Sequence, residues 1–128
     1  MLSARVLTYG FAGIFGGSTV SNSAYKLIIE DDEGRRSVVP VDLGASQDVS
    51  LGRDQANTIC LNERNVSRRH ARFFEDPTGI FAEDLSSYNG VWINGDRIQK
   101  REPVFQGDVL RVGDFNIELR GEGLHARR

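Results

Sequence analysis

The sequence predicts an all-β protein, and three observations support this fold class. Short segments of alternating apolar and polar residues recur along the chain, separated by clusters of Gly, Asn, Asp and Pro. No window of about 11 residues has a convincing helical period. Asn94-Gly95 directly follows Val91–Ile93, and this dipeptide is typical of a type I′ hairpin turn. The chain of 128 residues accommodates one such domain, as a sandwich or a barrel.

The first half of the chain contains two longer predicted strands and two short ones. Tyr25–Glu30 alternates, and Asp31–Gly34 has the composition of a turn. Arg36–Val41 is the return strand, and Pro40 favours a sheet edge because proline cannot donate to the ladder. A polar loop separates the two short strands, which are Val49–Gly52 and Thr58–Leu61.

The second half adds two further hairpins and a strongly alternating last strand. Asp76–Gly79 and Gly113-Asp114 have turn composition. In the last strand, Phe115, Ile117 and Leu119 share one face, which predicts that they lie in the core. Trp92 is also predicted to lie in the core. The paired strands around these turns are His70–Glu75 with Ile80–Leu85, and Val109–Val112 with Phe115–Leu119.

The two ends of the chain differ from its middle. Residues 1–23 are rich in Gly and Ser and show no lasting period, so we expect a flexible leader. The β domain is predicted over residues 24–120, and residues 121–128 are predicted to be a flexible tail. The apolar stretch Val6–Gly17 is too short to cross a bilayer, which needs about 20 apolar residues. The only cysteine, Cys60, is predicted to be a small buried residue, and a reduced, cytoplasmic setting is expected.

Basic residues are concentrated in one part of a weakly acidic chain. Between Leu51 and Phe73 the charge is +3, whereas the whole chain carries -2. A positive end on an otherwise acidic domain fits a small anionic ligand better than a long polyanion. Loops on a rigid β scaffold are where binding sites usually lie, and antiparallel strands bring alternate loops to one end. The three polar loops in question are residues 53–57, 62–69 and 86–90.

These loops carry an ordered series of motifs that resembles the forkhead-associated (FHA) domain. The series is Gly52-Arg53, then Ser67-Arg68-Arg69-His70, then Asn89-Gly90, then Asn94-Gly95. The resemblance extends over about Lys26 to Leu119. It implies a β-sandwich of about 11 short, mostly antiparallel strands, whose loops at one end bind phosphothreonine in an extended peptide.

The resemblance also implies a role for each matching residue. Arg53, Ser67 and Arg68 would bind the phosphate, with the arginines offering charged donors and the serine its hydroxyl. Asn89 would bind the peptide backbone of the ligand. Arg69, Arg64 and Tyr88 are expected at the periphery of the site. The residues expected to support the site structurally are Gly52, His70, Gly90, Asn94 and Gly95.

One position departs from the family pattern. Tyr88 stands where FHA domains often have Thr immediately before the Asn-Gly pair. The loss of that smaller hydroxyl affects the expected affinity and the preference for phosphothreonine over phosphoserine more than phosphate binding itself.

The expected function is that of a phosphothreonine-dependent adaptor that docks one phosphorylated partner of a serine/threonine kinase pathway. Catalysis is not expected, because Ser67 and His70 come without an oriented acid or a nucleophile elbow. No cofactor or metal is expected, since no Cys/His set has ligand spacing. The predicted protein is a monomer that binds neither membrane nor nucleic acid. Two alternatives stay open, a phosphate-independent interaction scaffold and nucleic-acid binding through Arg64, Arg68, Arg69 and Arg72.

Overall fold

The computed structural model describes residues 5–8, 24–44 and 47–127, and these ranges contain twelve strands and no helix. None of the described segments is therefore a helix that could span a membrane. The strands are β1 Arg5–Thr8, β2 Tyr25–Glu30, β3 Arg36–Val41, β4 Val49–Gly52, β5 Ile59–Asn62, β6 Ala71–Asp76, β7 Gly79–Asp84, β8 Val91–Ile93, β9 Asp96–Arg97, β10 Arg101–Pro103, β11 Val109–Val112 and β12 Phe115–Gly121.

The strands form two sheets of six. The first sheet has the order β1-β5-β4-β6-β7-β10, and the second has the order β3-β2-β12-β11-β8-β9. Neighbouring strands pair antiparallel except β4 and β5, which run parallel. The predicted all-β, mostly antiparallel sandwich is confirmed.

The core between the sheets comes from the alternation of residues along the strands. On β12, the side chains of Phe115, Ile117 and Leu119 are buried, whereas Asn116 and Glu118 are half-buried on the other face. Phe73 on β6 is fully buried from the opposite sheet. Burying a large apolar side chain contributes about 1.5–3 kcal/mol, so these positions supply much of the drive to fold.

Two local features, the Asn94-Gly95 turn and the position of Pro40, agree with the sequence predictions. Asn94 and Gly95 have φ of 51° and 90°, as a type I′ turn requires, and they join β8 to β9. Pro40 lies on β3, which is one of the two edge strands of the second sheet. Both predictions are confirmed.

Part of the predicted leader has a place in the fold. Arg5–Thr8 forms β1, which pairs antiparallel with β5 at the edge of the first sheet. The rest of residues 1–23 lies outside the described residues, and the domain boundaries stay a prediction. The short strands β9 and β10 were not predicted, because segments of two or three residues show no alternation.

The prediction that Trp92 lies in the core is wrong. Its neighbours Val91 and Ile93 on β8 point inward, so the alternation of the strand turns Trp92 outward, where it is 36% exposed. The guanidinium of Arg97 lies 5.9 Å from the centre of the Trp92 ring and covers part of that surface.

The residues after β12 pack against the turn before β11. Leu124 is buried, and the carbonyl of His125 accepts a hydrogen bond of 2.8 Å from the amide of Gln106. The guanidinium of Arg127 binds the carboxylate of the buried Asp108 at 2.6 Å. Burial alone would raise the pKa of Asp108, but hydrogen bonds from Arg127, the amide of Phe105 and other donors hold it below its usual value. The sequence alone did not indicate this packing.

Candidate functional site

Strand pairing brings three loops to one end of the sandwich. Leu51 near the end of β4 faces Ala71 at the start of β6, and Ala71 also faces Asp84 at the end of β7. The loops that leave or enter the sheet at these points therefore lie side by side. They are the β4–β5 loop (53–58), the β5–β6 loop (63–70) and the β7–β8 loop (85–90).

Backbone hydrogen bonds join the first two loops. The amide of Arg53 donates to the carbonyl of Ser67 at 2.9 Å, and the amide of Asp54 donates to the carbonyl of Arg68 at 3.2 Å. A side chain at position 52 would overlap the carbonyl oxygen of Arg68, so this close approach requires Gly52. The buried Asn57 reinforces the junction, because its amide nitrogen donates to the carbonyls of both Asp54 and Arg68 at 2.8 Å.

His70 connects the second loop to the third from a fully buried position. Its Nδ1 accepts a hydrogen bond of 3.0 Å from the amide of Ser67, so the proton lies on Nε2, which donates to the carbonyl of Gly90 at 2.7 Å. Burial lowers the pKa of His70 and outweighs the hydrogen bond to Gly90 and the charge of Asp84, which act in the opposite direction. The imidazole is therefore held neutral, with both nitrogens engaged by the backbone.

The side chain of Ser67 lies at the surface of the junction between the loops. Its Oγ accepts a hydrogen bond of 3.0 Å from the amide of Tyr88. Because the oxygen is held as an acceptor, the hydroxyl proton is left to donate to a ligand. Tyr88 itself is 88% exposed.

Asn89 is held in place by the second loop. Its amide nitrogen donates to the carbonyl of Asn65 at 3.0 Å. Asn65 in turn donates from its own side chain to Asp114 at 3.1 Å, in the turn between β11 and β12. One of the two N–H bonds of the Asn89 amide is used in this way, which leaves the other to a ligand.

The third loop is shaped by short-range hydrogen bonds to side chains. The carboxylate of Asp84 accepts from the amide of Ser87 at 2.9 Å, and the hydroxyl of Ser87 accepts from the amide of Gly90 at 3.0 Å. Gly90 has φ of 89°, and a side chain there would meet the guanidinium of Arg97. This position therefore suits only glycine.

Residues of the three loops line a cavity of about 170 Å³ that is open to solvent. Of the residues expected at the site, Arg53, Ser67, Asn89, Tyr88 and Arg64 are brought together in its lining, which is completed by Asn65 and Val66. Arg68 and Arg69 are exposed nearby but do not line the cavity. The predicted supporting residues divide: Gly52, His70 and Gly90 lie at this end, whereas Asn94 and Gly95 lie at the far end of β8.

The arginines of this region differ in their partners. Arg72 on β6 binds the carboxylates of Asp48 and Glu83, and its guanidinium lies 4.5 Å from the centre of the Phe74 ring. Arg53 and Arg64, in contrast, form no ion pair with any carboxylate of the described residues. The cavity thus has free positive charge and no carboxylate in its lining.

Two carboxyl groups, those of Glu63 and Asp114, contact the lining residue Asn65. Glu63 accepts from the amide of Asn65 at 3.3 Å, and it also shares a hydrogen bond with Asp114. Burial raises the pKa of Glu63, and Asp114 raises it further through that hydrogen bond and its charge. Within the described ranges no three His, Cys, Asp or Glu side chains come together as a metal site.

Sequence reasoning missed the roles of Asn57 and Asn65. Both are polar residues in predicted loops, and Asn is common where a side chain replaces a backbone partner in a turn. That signal identifies candidates without showing which long-range carbonyl each one reaches, since Asn57 binds Arg68 and Asn65 binds Asp114.

The fold and site define a binding module, with a rigid β scaffold that presents a basic cavity on its end loops. The FHA domain model matches residues 49–113, which is half of the chain, and the chain therefore belongs to the FHA domain family. The ordered motifs and the loop geometry agree with this membership.

The relatives are longer proteins or isolated domains of the same family. The FHA domain-containing protein FhaB of Mycolicibacterium smegmatis is 33% identical over 69% of this chain and 56% of its own length. The transcriptional regulatory protein EmbR of Mycobacterium tuberculosis is 28% identical over 90% of this chain and 29% of its own length. This chain thus spans about half of FhaB and less than a third of EmbR.

Solved structures agree with the fold. A structure from a study of phosphothreonine-dependent FHA domain interactions has a TM-score of 0.64 and 27% identity, over 77% of this chain and 99% of that one. EmbR in complex with a low-affinity phosphopeptide has a TM-score of 0.61 and 27% identity, over 80% of this chain and 25% of that one.

Proposed function

We propose that this domain binds a phosphothreonine-containing segment of a partner protein in the cavity between its three loops. One observation carries the proposal. Arg53, Arg64 and the hydroxyl of Ser67 converge on a single open cavity whose lining contains no carboxylate. A phosphate group carries a charge of about -1.5 to -2 near pH 7 and offers three acceptor oxygens. Its chemistry complements this donor set.

The phosphate is bound by charge-assisted hydrogen bonds from Arg53 and by the hydroxyl proton of Ser67. The amide of Tyr88 holds the Ser67 oxygen, which orients that proton in advance. The backbone bond between Arg53 and Ser67 fixes the spacing of the two donors. Preorganised donors lose little entropy on binding, which favours affinity.

Asn89 binds the peptide backbone beside the phosphate, and Tyr88 offers an exposed ring to the residues that flank it. Each hydrogen bond to a charged group contributes about 1.5–3 kcal/mol, and micromolar affinity needs about 8 kcal/mol. Two or three phosphate contacts contribute about 3–9 kcal/mol, most of which lies below that requirement, so the flanking residues of the peptide are expected to supply the remainder.

The relatives support the same ligand class. One structural neighbour comes from work on phosphothreonine-dependent FHA interactions, and EmbR was solved with a phosphopeptide. We infer that this chain acts as a non-catalytic, cytoplasmic adaptor for a phosphorylated protein of a serine/threonine kinase pathway, and that it binds as a monomer. The partner donates the phosphothreonine, and the domain contributes recognition only.

The direct experiment is a fluorescence anisotropy titration with three degenerate peptide pools, which contain phosphothreonine, phosphoserine or unphosphorylated threonine. The proposal expects saturable binding of the phosphothreonine pool, weaker binding of the phosphoserine pool and none of the third. One methyl group contributes about 1–3 kcal/mol in a fitted pocket. The phosphoserine pool should therefore lose less binding free energy than the unphosphorylated pool, which lacks the whole phosphate. Equal, weak signals from all three pools would contradict the proposal and favour a phosphate-independent scaffold.

A comparison of two arginines sharpens the site. Arg64 lines the cavity, whereas Arg68 has an exposed side chain beside Ser67 without lining it. Both are proposed to contribute, Arg64 to the flanking residues and Arg68 to a further phosphate oxygen. We expect Arg68→Ala to lower the affinity for all phosphopeptides about tenfold. Arg64→Ala should instead lower most the affinity for phosphopeptides with acidic flanking residues. Arg36→Ala, at an exposed arginine on strand β3 of the other sheet, is the control.

A further inference from the structure

Strand β1 supplies most of the pairing of strand β5. All four residues of β5 have a Cα partner on β1, from Arg5 opposite Asn62 to Thr8 opposite Ile59. On its other side, β5 has only two partners on β4, which face Ile59 and Cys60. Leu61 and Asn62 are therefore paired on the β1 side alone among the described residues.

The end of β5 leads directly into the candidate site. The amide of Glu63 donates to the carbonyl of Leu61 at 2.9 Å, and the amide of Val66 donates to the carbonyl of Glu63 at 3.0 Å. Arg64 and Asn65, which line the cavity, lie within this turn. The turn thus starts from the part of β5 that only β1 pairs.

The second half of the same loop is anchored differently. The amide of Arg53 binds the carbonyl of Ser67, and the amide of His70 binds the carbonyl of Leu51 at 2.9 Å. These bonds connect the loop to β4 and its extension, at the centre of the first sheet. The first half has the contacts of Asn65 with Asp114 and Asn89, the hydrogen bond of Glu63 with Asp114 and the buried side chain of Val66, together with the pairing of β5.

We propose that β1 is a detachable clamp that positions the first half of the β5–β6 loop, so that its release weakens phosphopeptide binding. The clamp is this chain's own segment Arg5–Thr8, and the acceptor is the edge of β5 that β1 covers. This inference rests on the proposed function and names a regulation of the same site. A four-residue edge strand opens at a lower free energy than a central strand, so a competing strand can displace it.

The test uses the full chain and two proline variants of adjacent residues, Val6→Pro and Leu7→Pro. In an antiparallel pair, the N–H of one residue faces the partner strand and that of the next faces away. Proline removes a ladder bond at only one of the two positions, so each variant serves as the control for the other. If β1 release leaves the loop competent for about a tenth of the time, the apparent Kd for a phosphothreonine peptide rises about tenfold.

We expect the apparent Kd for the phosphothreonine peptide to rise about tenfold in one variant and less than about twofold in the other. Equal Kd values in wild type and both variants overturn the proposal, and so do equal losses in both variants. A synthetic peptide of residues 1–10, added to the weakened variant, should restore the wild-type Kd by occupying the β5 edge. Failure of this peptide to restore binding at saturating concentration also overturns the proposal.

Hydrogen exchange separates this inference from the proposed function. If wild type binds no phosphopeptide, the proposed ligand is wrong, but the clamp is still testable through the exchange rates of the amides in β5 and in residues 63–66. The weakened variant should exchange these amides about tenfold faster than wild type, with the amides of β11 and β12 unchanged. Unchanged exchange in β5 would contradict the clamp whatever the ligand.

Discussion

The two Asn-Gly pairs of this domain flank the same strand and serve opposite ends of the sandwich. Asn89-Gly90 precedes β8, and Asn94-Gly95 follows it. Asn89 lines the cavity and uses its amide nitrogen to bind the carbonyl of Asn65. Asn94 donates to the buried Asp108 at 3.0 Å and accepts from the amide of Val109 at 3.0 Å. Identical dipeptides thus have different surroundings.

The difference lies in how charge is balanced at each end. At the far end, Asp108 is compensated by Asn94 and Arg127, so the polar groups satisfy one another. At the cavity, Arg53 and Arg64 have no ion pair among the described residues. Groups that satisfy one another stabilise a fold, whereas exposed unpaired cations are available to a ligand. This contrast predicts which substitutions change stability and which change binding.

The largest expected effect is that of His70→Ala, which should reduce both the stability of the fold and the binding of the peptide. The substitution removes two hydrogen bonds from a fully buried site and leaves the amide of Ser67 and the carbonyl of Gly90 without partners. We expect a loss of about 3–5 kcal/mol in the free energy of unfolding, together with weaker phosphopeptide binding. Urea denaturation and peptide titration measure the two effects. The chain's other histidine, His125, is exposed, so His125→Ala is the control. Lost binding with unchanged stability would show that His70 contacts the ligand.

The next effect is that of Arg53→Ala, which should change binding alone. Because the phosphate loses a charged donor, the Kd for phosphothreonine peptides should rise about 100-fold, equivalent to about 2.8 kcal/mol of binding free energy. The melting temperature should stay within about 2 °C of wild type, because Arg53 forms no ion pair within the described part of the chain. Arg72→Ala is the opposite control, since Arg72 binds Asp48 and Glu83 and should change stability alone. An unfolded Arg53→Ala variant would show that this arginine is structural.

The two asparagines test the comparison between the ends. Asn94→Ala removes two hydrogen bonds, one of them to a carboxylate, and places alanine at φ of 51°. We expect a loss of about 2–3 kcal/mol in stability with unchanged peptide affinity. Asn89→Ala should lower the affinity for the phosphothreonine peptide about tenfold and reduce the free energy of unfolding by less than about 1 kcal/mol. A stability loss in Asn89→Ala as large as that in Asn94→Ala would remove the distinction between the two ends.

The smallest effect concerns the pH dependence of stability through Glu63. Its raised pKa means that the folded state holds the proton more tightly than the unfolded state. Its contribution to stability is therefore present below the unfolded pKa of about 4.3 and lost as the pH rises through the folded pKa. We expect Glu63→Gln to melt about 1–3 °C above wild type at pH 7 and at the same temperature near pH 4. Glu122→Gln, at an exposed glutamate, is the control. A variant that is less stable than wild type at pH 7 would contradict this account.

The sequence predicted the strands and the grouping of loops better than the packing between distant segments. Alternation gave β2, β3 and β12, and turn residues gave the hairpins. Strand β1 and the burial of Leu124 were missed because both depend on partners far along the chain. Trp92 was misplaced because the face that a strand residue occupies is decided by the alternation with its neighbours, and Val91 and Ile93 on β8 are the buried ones. The lining residue Asn65 was missed because its partner, Asp114, is known only from the fold.

The most direct test of the central claim is amide chemical-shift mapping of the labelled chain during titration with a phosphothreonine peptide. The account predicts that the largest shifts fall on the cavity loops, at Arg53, Arg64–Ser67 and Tyr88–Asn89, while Asn94 and Asp108 at the far end stay unchanged. The unphosphorylated peptide should cause no comparable shifts at the same concentration. Shifts centred on the far end, or equal shifts with and without the phosphate, would contradict a phosphothreonine site in this cavity.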